Sequence, residues 1–319
     1  MINFEPFMLR YAGKDIAGQA LERWGGDPTS LRHLGDSGNS VYAYENRGMQ
    51  HILRLTDPTY RSRRHLVAEA DFLDHLRACG VRVSHALPSL AGEWVEEIDP
   101  DAEPFFASSY SFAPGLAVER RSQHWTRRFF IEWGHVLGEM HRAAETYHPA
   151  GPERRWKWEE EGWIANALVL IPEEDVDSRR EFVDVMRAVR TFVEMPHTFG
   201  LIHADFAPGN FRFSPEEGKI TAFDFGNCCY HFYLSDIAIS LSTLRREENR
   251  EQLKEWLLAG YRSVRQLSGE FEEGLEWLIR LRIVYVYLSR LFKFGKSPTE
   301  QERQTLAQLR FRVHEKKGW

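Results

Sequence analysis

The sequence predicts an α+β fold of two lobes, a small one built on an antiparallel sheet with one key helix and a larger, mainly helical one that carries a single late hairpin. Three observations predict it. Short strand-like runs separated by turn chemistry crowd into the first third of the chain. Apolar residues at helical spacing dominate from about Gln123 onward. Interrupting them, alternating segments at Phe211–Phe213 and Lys219–Phe223 flank the turn Ser214-Pro215-Glu216-Glu217-Gly218. At 319 residues the chain is long enough for two lobes. The expected division gives residues 1–112 to the first and 113–319 to the second.

Residues before Thr29 read as a leading helix through Ile16, Ala20, Leu21 and Trp24, closed by Gly25-Gly26. Leu31–Leu34, Asn39–Glu45 and His51–Leu55 read as three strands, with turns at Gly35-Asp36-Ser37-Gly38 and Asn46-Arg47-Gly48. A helix follows from about Ser62 to Cys79, and Glu69 shares its apolar face with Leu66, Leu73 and Leu76. A carboxylate on such a face needs a cationic partner, and Arg54 on the third strand is the candidate. Alternating segments around Val81–Leu90 and Gly92–Ile98 should complete the sheet, and Phe105–Gly115 reads as a last strand running into a connector.

The larger lobe opens with a helix from about Gln123 to Tyr147, where Phe130, Trp133, Leu137, Met140 and Ala144 recur at core spacing. His141 on this helix reads as a hydrogen-bonded core histidine. In Arg154–Trp163, tryptophans stand beside glutamates. The favoured reading is an acidic helix start with aromatic packing; holding a cation against ring faces is the alternative. Gly200-Leu201-Ile202 enters as a short strand and Pro208-Gly209 breaks it. A hairpin brings its open ends together, so Asn210, entering one end, and Asp224, leaving the other, should offer the hard oxygens that magnesium takes. Asp205, just upstream, is placed to accept a proton. Late helices, Glu251–Leu267 and Glu273–Phe294, show arginine-rich faces that read as solvated.

His203, Asp205 and Asn210, followed by Asp224-Phe225-Gly226, resemble the catalytic and metal loops of the protein-kinase-like fold, with Ala204 where protein kinases carry arginine. Tyr233-Leu234-Ser235-Asp236-Ile237-Ala238 is similar to the segment that follows in the aminoglycoside phosphotransferase and choline kinase-like family. Within that family the chain most resembles the homoserine-kinase-like and bacterial stress-kinase branch. The resemblance implies an ATP-dependent kinase that moves the γ-phosphoryl group to a hydroxyl of a small molecule. Asp205 would be the catalytic base, and Asn210 and Asp224 would hold Mg2+. Gly35, Ser37, Gly38 and Asn39 would cover the nucleotide. Arg54 takes the place of the lysine that touches the phosphates, with Glu69 as its partner, and Ser109, Tyr110 and Phe112 would contact adenine beside the hinge Ala113-Pro114-Gly115. His203 and Asp236 are supporting residues, the first bracing the loop, the second anchoring it or capping the next helix. Arginine is forked where lysine is a point charge. A pseudokinase or regulatory nucleotide-binding module therefore remains an alternative, as does a serine/threonine protein kinase of the stress-kinase type.

Net charge of −6 gives no reason to invoke nucleic acid or an anionic membrane. Cys79, Cys228 and Cys229 form no metal-ligand spacing and suit a reducing compartment. Met1–Pro6 lacks the regions of a signal peptide, and the apolar stretch Ile283–Leu288 is too short to span a bilayer. A cytoplasmic enzyme, monomer or homodimer, is the expectation. The acceptor stays open: homoserine, choline-like alcohols, amino sugars, aminoglycosides and a protein side chain all suit the scaffold.

Overall fold

The computed structural model describes residues 15–36, 38–98, 104–267 and 271–319. Met1–Pro6 and Ser37, named above, lie outside the described residues. Two compact units emerge. One comprises Met1–Gly115, Tyr147–Arg154 and Thr221–Gly226, the other Leu116–Thr146, Arg155–Ile220 and Asn227–Trp319.

In the first unit, helix α1 (Ile16–Glu22) is capped by Asp15, whose carboxylate accepts the Gly18 N–H at 2.9 Å. It buries Ile16, Ala20 and Leu21 against Tyr44, Leu53, Leu55 and Phe105 of the sheet. That sheet runs β1 (Asp27–Asp36), β2 (Asn39–Asn46), β3 (Met49–Thr56), β6 (Phe105–Ser111) and β4 (Ala86–Leu87), with β5 (Glu96–Ile98) also on β6. Every pairing is antiparallel. Helix α2 (Arg63–Ala78) buries Leu66, Phe72, Leu73 and Leu76 as its periodicity requires, and Glu69 among them. The alternating segment around Val81–Leu90 supplies a much shorter strand than expected. Backbone groups of Arg82 and Ser84 bond instead to Ala222, Ala222 N–H to Arg82 O at 2.9 Å and Ser84 N–H to Ala222 O at 2.8 Å. Those two bonds fix the backbone just ahead of Asp224.

The second unit is built on α3 (Arg127–Ala144), started by Thr126 as its cap. Its aromatic residues form the core: Trp133 lies 5.2 Å from Phe211 and Phe129 5.4 Å from Phe213, ring centre to ring centre. Phe211 and Phe213 belong to β8 (Phe211–Ser214), which pairs with β9 (Lys219–Ala222) as the expected hairpin. Strand β7 (Phe199–Ile202) finds an unforeseen antiparallel partner in β10 (Cys229–Phe232), with Ile202 opposite Cys229. After the short helices α4 (Gly162–Ala165) and α5 (Ala167–Leu170) come α6 (Val176–Val189), α7 (Tyr233–Ser242), α8 (Arg250–Arg262), α9 (Phe271–Phe294) and α10 (Glu300–His314). Helices α3 and α8 approach until backbones touch. A Cβ on Gly134 would stand 1.8 Å from Leu257 O, and one on Gly260 would stand 1.9 Å from Ile131 O. Among the described residues, no helix is long and apolar enough to cross a membrane.

Candidate active site

On β3 of the first unit, Arg54 alternates onto the face toward α2, where Glu69 is 0% exposed. The guanidinium meets it in a fork, Nη1 to Oε1 at 2.8 Å and Nη2 to Oε2 at 2.9 Å. Nη2 also donates to the Tyr110 hydroxyl, which accepts from Ser108 Oγ at 3.1 Å. Burial opposes the arginine's charge, but Glu69, then Tyr110 and Asp224, outweigh it and raise its pKa above the ordinary arginine value. Burial in turn pushes the Tyr110 phenol well up, so it stays protonated.

Asp224 belongs to this same unit and is exposed. Its φ of 62° is in the left-handed region, uncommon for a side-chain-bearing residue and a conformation that costs about 1–3 kcal/mol. A Cβ added at Gly226 would lie 3.4 Å from Asp224 Oδ1 and 3.7 Å from Arg54 Nη1, so carboxylate and guanidinium face one small space.

Gly35 lies next to the end of β1, paired with Val41, and Gly38 directly precedes β2. Gly38 has a φ of 93°, and a Cβ there would come within 3.1 Å of the Tyr60 ring. Asn39 accepts the Thr56 hydroxyl at 2.8 Å and so ties the start of β2 to the end of β3. Ser109 and Tyr110 sit inside the sheet, each flanked by β3 and β4. Ser109 Oγ bonds the Tyr44 hydroxyl at 2.7 Å. Phe112, past the strand end, is 39% exposed.

In the second unit the loop after β7 hangs on Asp236 of α7. This carboxylate, fully buried, accepts the His203 N–H at 2.9 Å on Oδ2 and the Ala204 N–H at 2.8 Å on Oδ1. It anchors the loop, and its place in the first turn of α7 also suits the helix dipole. His141 of α3 stands behind it, with Nε2 3.3 Å from Asp236 Oδ2 and Nδ1 3.0 Å from the Tyr261 hydroxyl. Burial drives the imidazole down to the neutral form. Burial also works against the Asp236 charge, yet the bonds from His141 and His203 hold the carboxyl below its usual range. His141 is thus the hydrogen-bonded core residue its helix position suggested.

The loop's own bonds are as specific. Ala204 is forced to a φ of 63°. The Asp205 N–H is directed at His203 Nδ1, 3.3 Å away. Asn210 turns its amide nitrogen inward, Nδ2 to Asp205 O at 2.8 Å and to Asp205 Oδ2 at 3.0 Å. Those bonds use the NH2 group and leave Oδ1 as the amide's remaining acceptor. Phe206 packs 5.1 Å from Phe211, fixing the loop to the core.

Arg282 of α9 donates through Nη2 to Asp205 Oδ1. The arginine-rich faces expected to be solvated are therefore partly committed inward. Arg280, on the same helix, forks onto buried Glu181 at 2.7 Å through both nitrogens. Arg265 reaches the Tyr261 hydroxyl at 2.6 Å, and it also pairs with Glu145. The visible clue was placement: Arg280 and Arg282 interrupt an apolar run, where a cation needs a carboxylate.

Beside Ala204 and Arg282 lies a mostly apolar cavity walled by Trp156, Trp158, Glu161, Ile239 and Tyr285 among others. His231 stacks on Trp158, 4.7 Å away and 9° from parallel, and burial pushes its pKa down to about 3. The tryptophan–glutamate segment, read as an acidic helix start with aromatic packing, also faces this cavity. Glu160 caps the turn Trp158–Glu160 by accepting the Lys157 N–H at 2.8 Å, while its neighbours line the cavity.

An antiparallel-sheet unit and a mainly helical unit that carries such a loop define the class of phosphotransferases. The chain belongs to the phosphotransferase enzyme family, which it matches over residues 30–268. It is 28% identical to amicoumacin kinase of Bacillus subtilis (strain 168) over 310 residues, 93% of this chain and 90% of that protein. Homoserine kinase of Rhizobium meliloti (strain 1021) is 26% identical over 71% of this chain and 68% of its own length. A solved amicoumacin kinase, hAmiN in complex with AMP-PNP, Ca2+ and Ami, superposes with a TM-score of 0.88 at 26% identity, covering 97% of this chain and 95% of that one.

Proposed function

We propose that the chain transfers the γ-phosphoryl group of ATP to an alcohol hydroxyl of a small molecule held in the cavity beside Ala204 and Arg282. One observation carries the reading. The Asp205 carboxylate is held at both oxygens, by Asn210 and Arg282, on a loop whose backbone is clamped by Asp236. Asp205 orients the acceptor hydroxyl and takes its proton as the oxygen bonds to the γ-phosphorus. The bond from that phosphorus to the β-bridging oxygen breaks, and ADP leaves with the electron pair. Positioning and charge stabilisation account for most of the acceleration in such a transfer.

Asn210, through Oδ1, and Asp224 supply the hard oxygens that suit Mg2+, which neutralises phosphate charge when bound. Arg54, fixed by Glu69, contributes the positive charge on the nucleotide side. Gly35, Gly38 and Asn39 cover the phosphates, and Phe112 with the residues after it contacts the base. The hAmiN complex, with a nucleotide and a divalent cation bound, supports this donor side.

The test is calorimetric and kinetic. Wild-type protein is expected to bind ATP only with magnesium present, and to release ADP when supplied with its acceptor. Amicoumacin is the first acceptor to offer, given the likeness to amicoumacin kinase over 93% of the chain, and homoserine the second. Asp205→Ala should abolish transfer while MgATP still binds, whereas Asp224→Ala should weaken MgATP binding. Absence of binding at millimolar nucleotide would sink the proposal.

A further inference from the structure

Asp205 and Arg282 are 77 residues apart in sequence, on a loop and on a helix, yet they meet at the centre of the site. Arg282 Nη2 donates to Oδ1, and Nη1 points at Ala204 O from 3.5 Å, a long and weak contact. The opposite oxygen, Oδ2, takes Asn210 Nδ2 at 3.0 Å. One donor on each oxygen, arriving from different elements, fixes the rotation of the carboxylate plane as well as its position. A loop aspartate with Asn210 alone could still swing about that single bond.

Arg282 is itself held. Its side chain is only 18% exposed, and its guanidinium carbon lies 5.5 Å from the centre of the Tyr285 ring. It also lines the cavity. A guanidinium carries five N–H groups in a rigid fork, and the bonds to Asp205 and Ala204 engage two of them.

We propose that Arg282 is a positioning residue for phosphoryl transfer: it sets the plane of the Asp205 carboxylate and offers its remaining N–H groups to the acceptor in the cavity. The inference rests on the kinase reading above. It differs from a purely structural ion pair in what its loss should do. A structural tie, when cut, lowers stability and affects every function together. A positioning residue, when cut, lowers turnover and leaves the nucleotide side intact.

The experiment uses the full chain, with water as the acceptor: slow MgATP hydrolysis is followed through labelled γ-phosphate, alongside MgATP calorimetry and thermal melting. Arg282→Ala is expected to keep its MgATP affinity and lose about 10²-fold in turnover, the loss that misplacing a reacting group commonly brings. Added guanidinium ion at millimolar concentration should restore part of the Arg282→Ala turnover and none of the Asp205→Ala turnover. Arg282→Lys should be intermediate, since lysine keeps the charge without the fork. Turnover of Arg282→Ala equal to wild type overturns the inference and leaves the kinase reading standing. So does a parallel fall in melting temperature, MgATP affinity and turnover that guanidinium does not repair, because Arg282 would then be a structural tie. Wild-type protein that binds MgATP but releases no phosphate also counts against it. Failure of wild type to bind MgATP at all overturns the parent reading instead.

Discussion

Asp236 takes the Ala204 N–H at 2.8 Å, and the residue it captures is one of the few side-chain-bearing residues described in the left-handed region, with a φ of 63°. The strain and the bond belong together. A backbone conformation costing about 1–3 kcal/mol persists only where surrounding contacts over-determine it. Here the second Asp236 oxygen, on the His203 N–H, supplies that surplus. Asp236→Asn keeps one acceptor and turns an NH2 group against a backbone donor. The expected result is a loss of about 1.5–3 kcal/mol, the worth of a hydrogen bond to a charged group. Phosphoryl transfer should fall further than stability does, because Asp205 is the next residue. Urea titration and single-turnover kinetics on one preparation measure both, and wild-type turnover in the variant would show that Phe206 and the hairpin hold the loop unaided.

Acid should weaken the fold through its buried histidines, His231 and His141. Burial holds His231 at a pKa of about 3 and keeps His141 below its ordinary value too. In the unfolded chain both return to about 6.5. Below that pH the unfolded state binds protons that the native state refuses, so native stability declines as pH falls. The slope is about 1.4 kcal/mol per pH unit for each such histidine, and the His231 contribution continues down to about pH 3. Asp236 acts later: its depressed carboxyl loses its stabilising contribution only as pH drops through its folded value, below the usual carboxylate range. His231→Gln should flatten the decline between pH 6.5 and 4 by about one histidine's share. Denaturation midpoints measured across that range check it, and an unchanged slope would place a charged imidazole at this position.

Much of this was legible in the residues because it is local. Glu69 on the apolar face of its helix demanded a cation, and Arg54, fifteen residues earlier, is that cation. The turn at Ser214–Gly218 prescribed the hairpin of β8 and β9. What sequence did not reveal depends on partners far away in the chain. An arginine on a late helix reads as solvated until its carboxylate is seen, as with Arg282 and Asp205 or with Arg280 and Glu181, 99 residues distant. The same holds for β10 on β7 and for the Trp158–His231 stack, neither of which leaves a local pattern.

Substitution of Arg54 separates charge from shape. Arg54→Met leaves Glu69 buried without its cation, and removing one partner of a buried pair costs about 3–5 kcal/mol. Arg54→Lys retains the charge but reaches one oxygen at a time, so the expected loss is a single charged hydrogen bond, about 1.5–3 kcal/mol. MgATP affinity should follow the charge, surviving in the lysine variant and falling in the methionine variant. Guanidinium denaturation with parallel calorimetry decides it. Equal affinity in both variants would remove Arg54 from the nucleotide side of the proposal.

The crossing of α3 and α8 offers a test at a distance. Gly134 has no room for a side chain, since its Cβ would meet the Leu257 carbonyl oxygen at 1.8 Å, and that neighbour is backbone that cannot rotate away. Gly134→Ala must therefore push α8 outward. Overpacking of this kind costs about 1–3 kcal/mol, and more where only backbone can yield. Tyr261, beside Gly260 at the same crossing, bonds His141, and His141 supports Asp236. Displacement of α8 should therefore loosen the clamp on the loop of Asp205 through Tyr261, His141 and Asp236. The expected outcome is a lower melting temperature with a drop in turnover that exceeds any change in MgATP affinity. Hydrogen exchange at the His203 and Ala204 amides gives the direct reading: faster exchange there than in wild type would connect the crossing to the loop, and unchanged exchange would confine the effect to the helices.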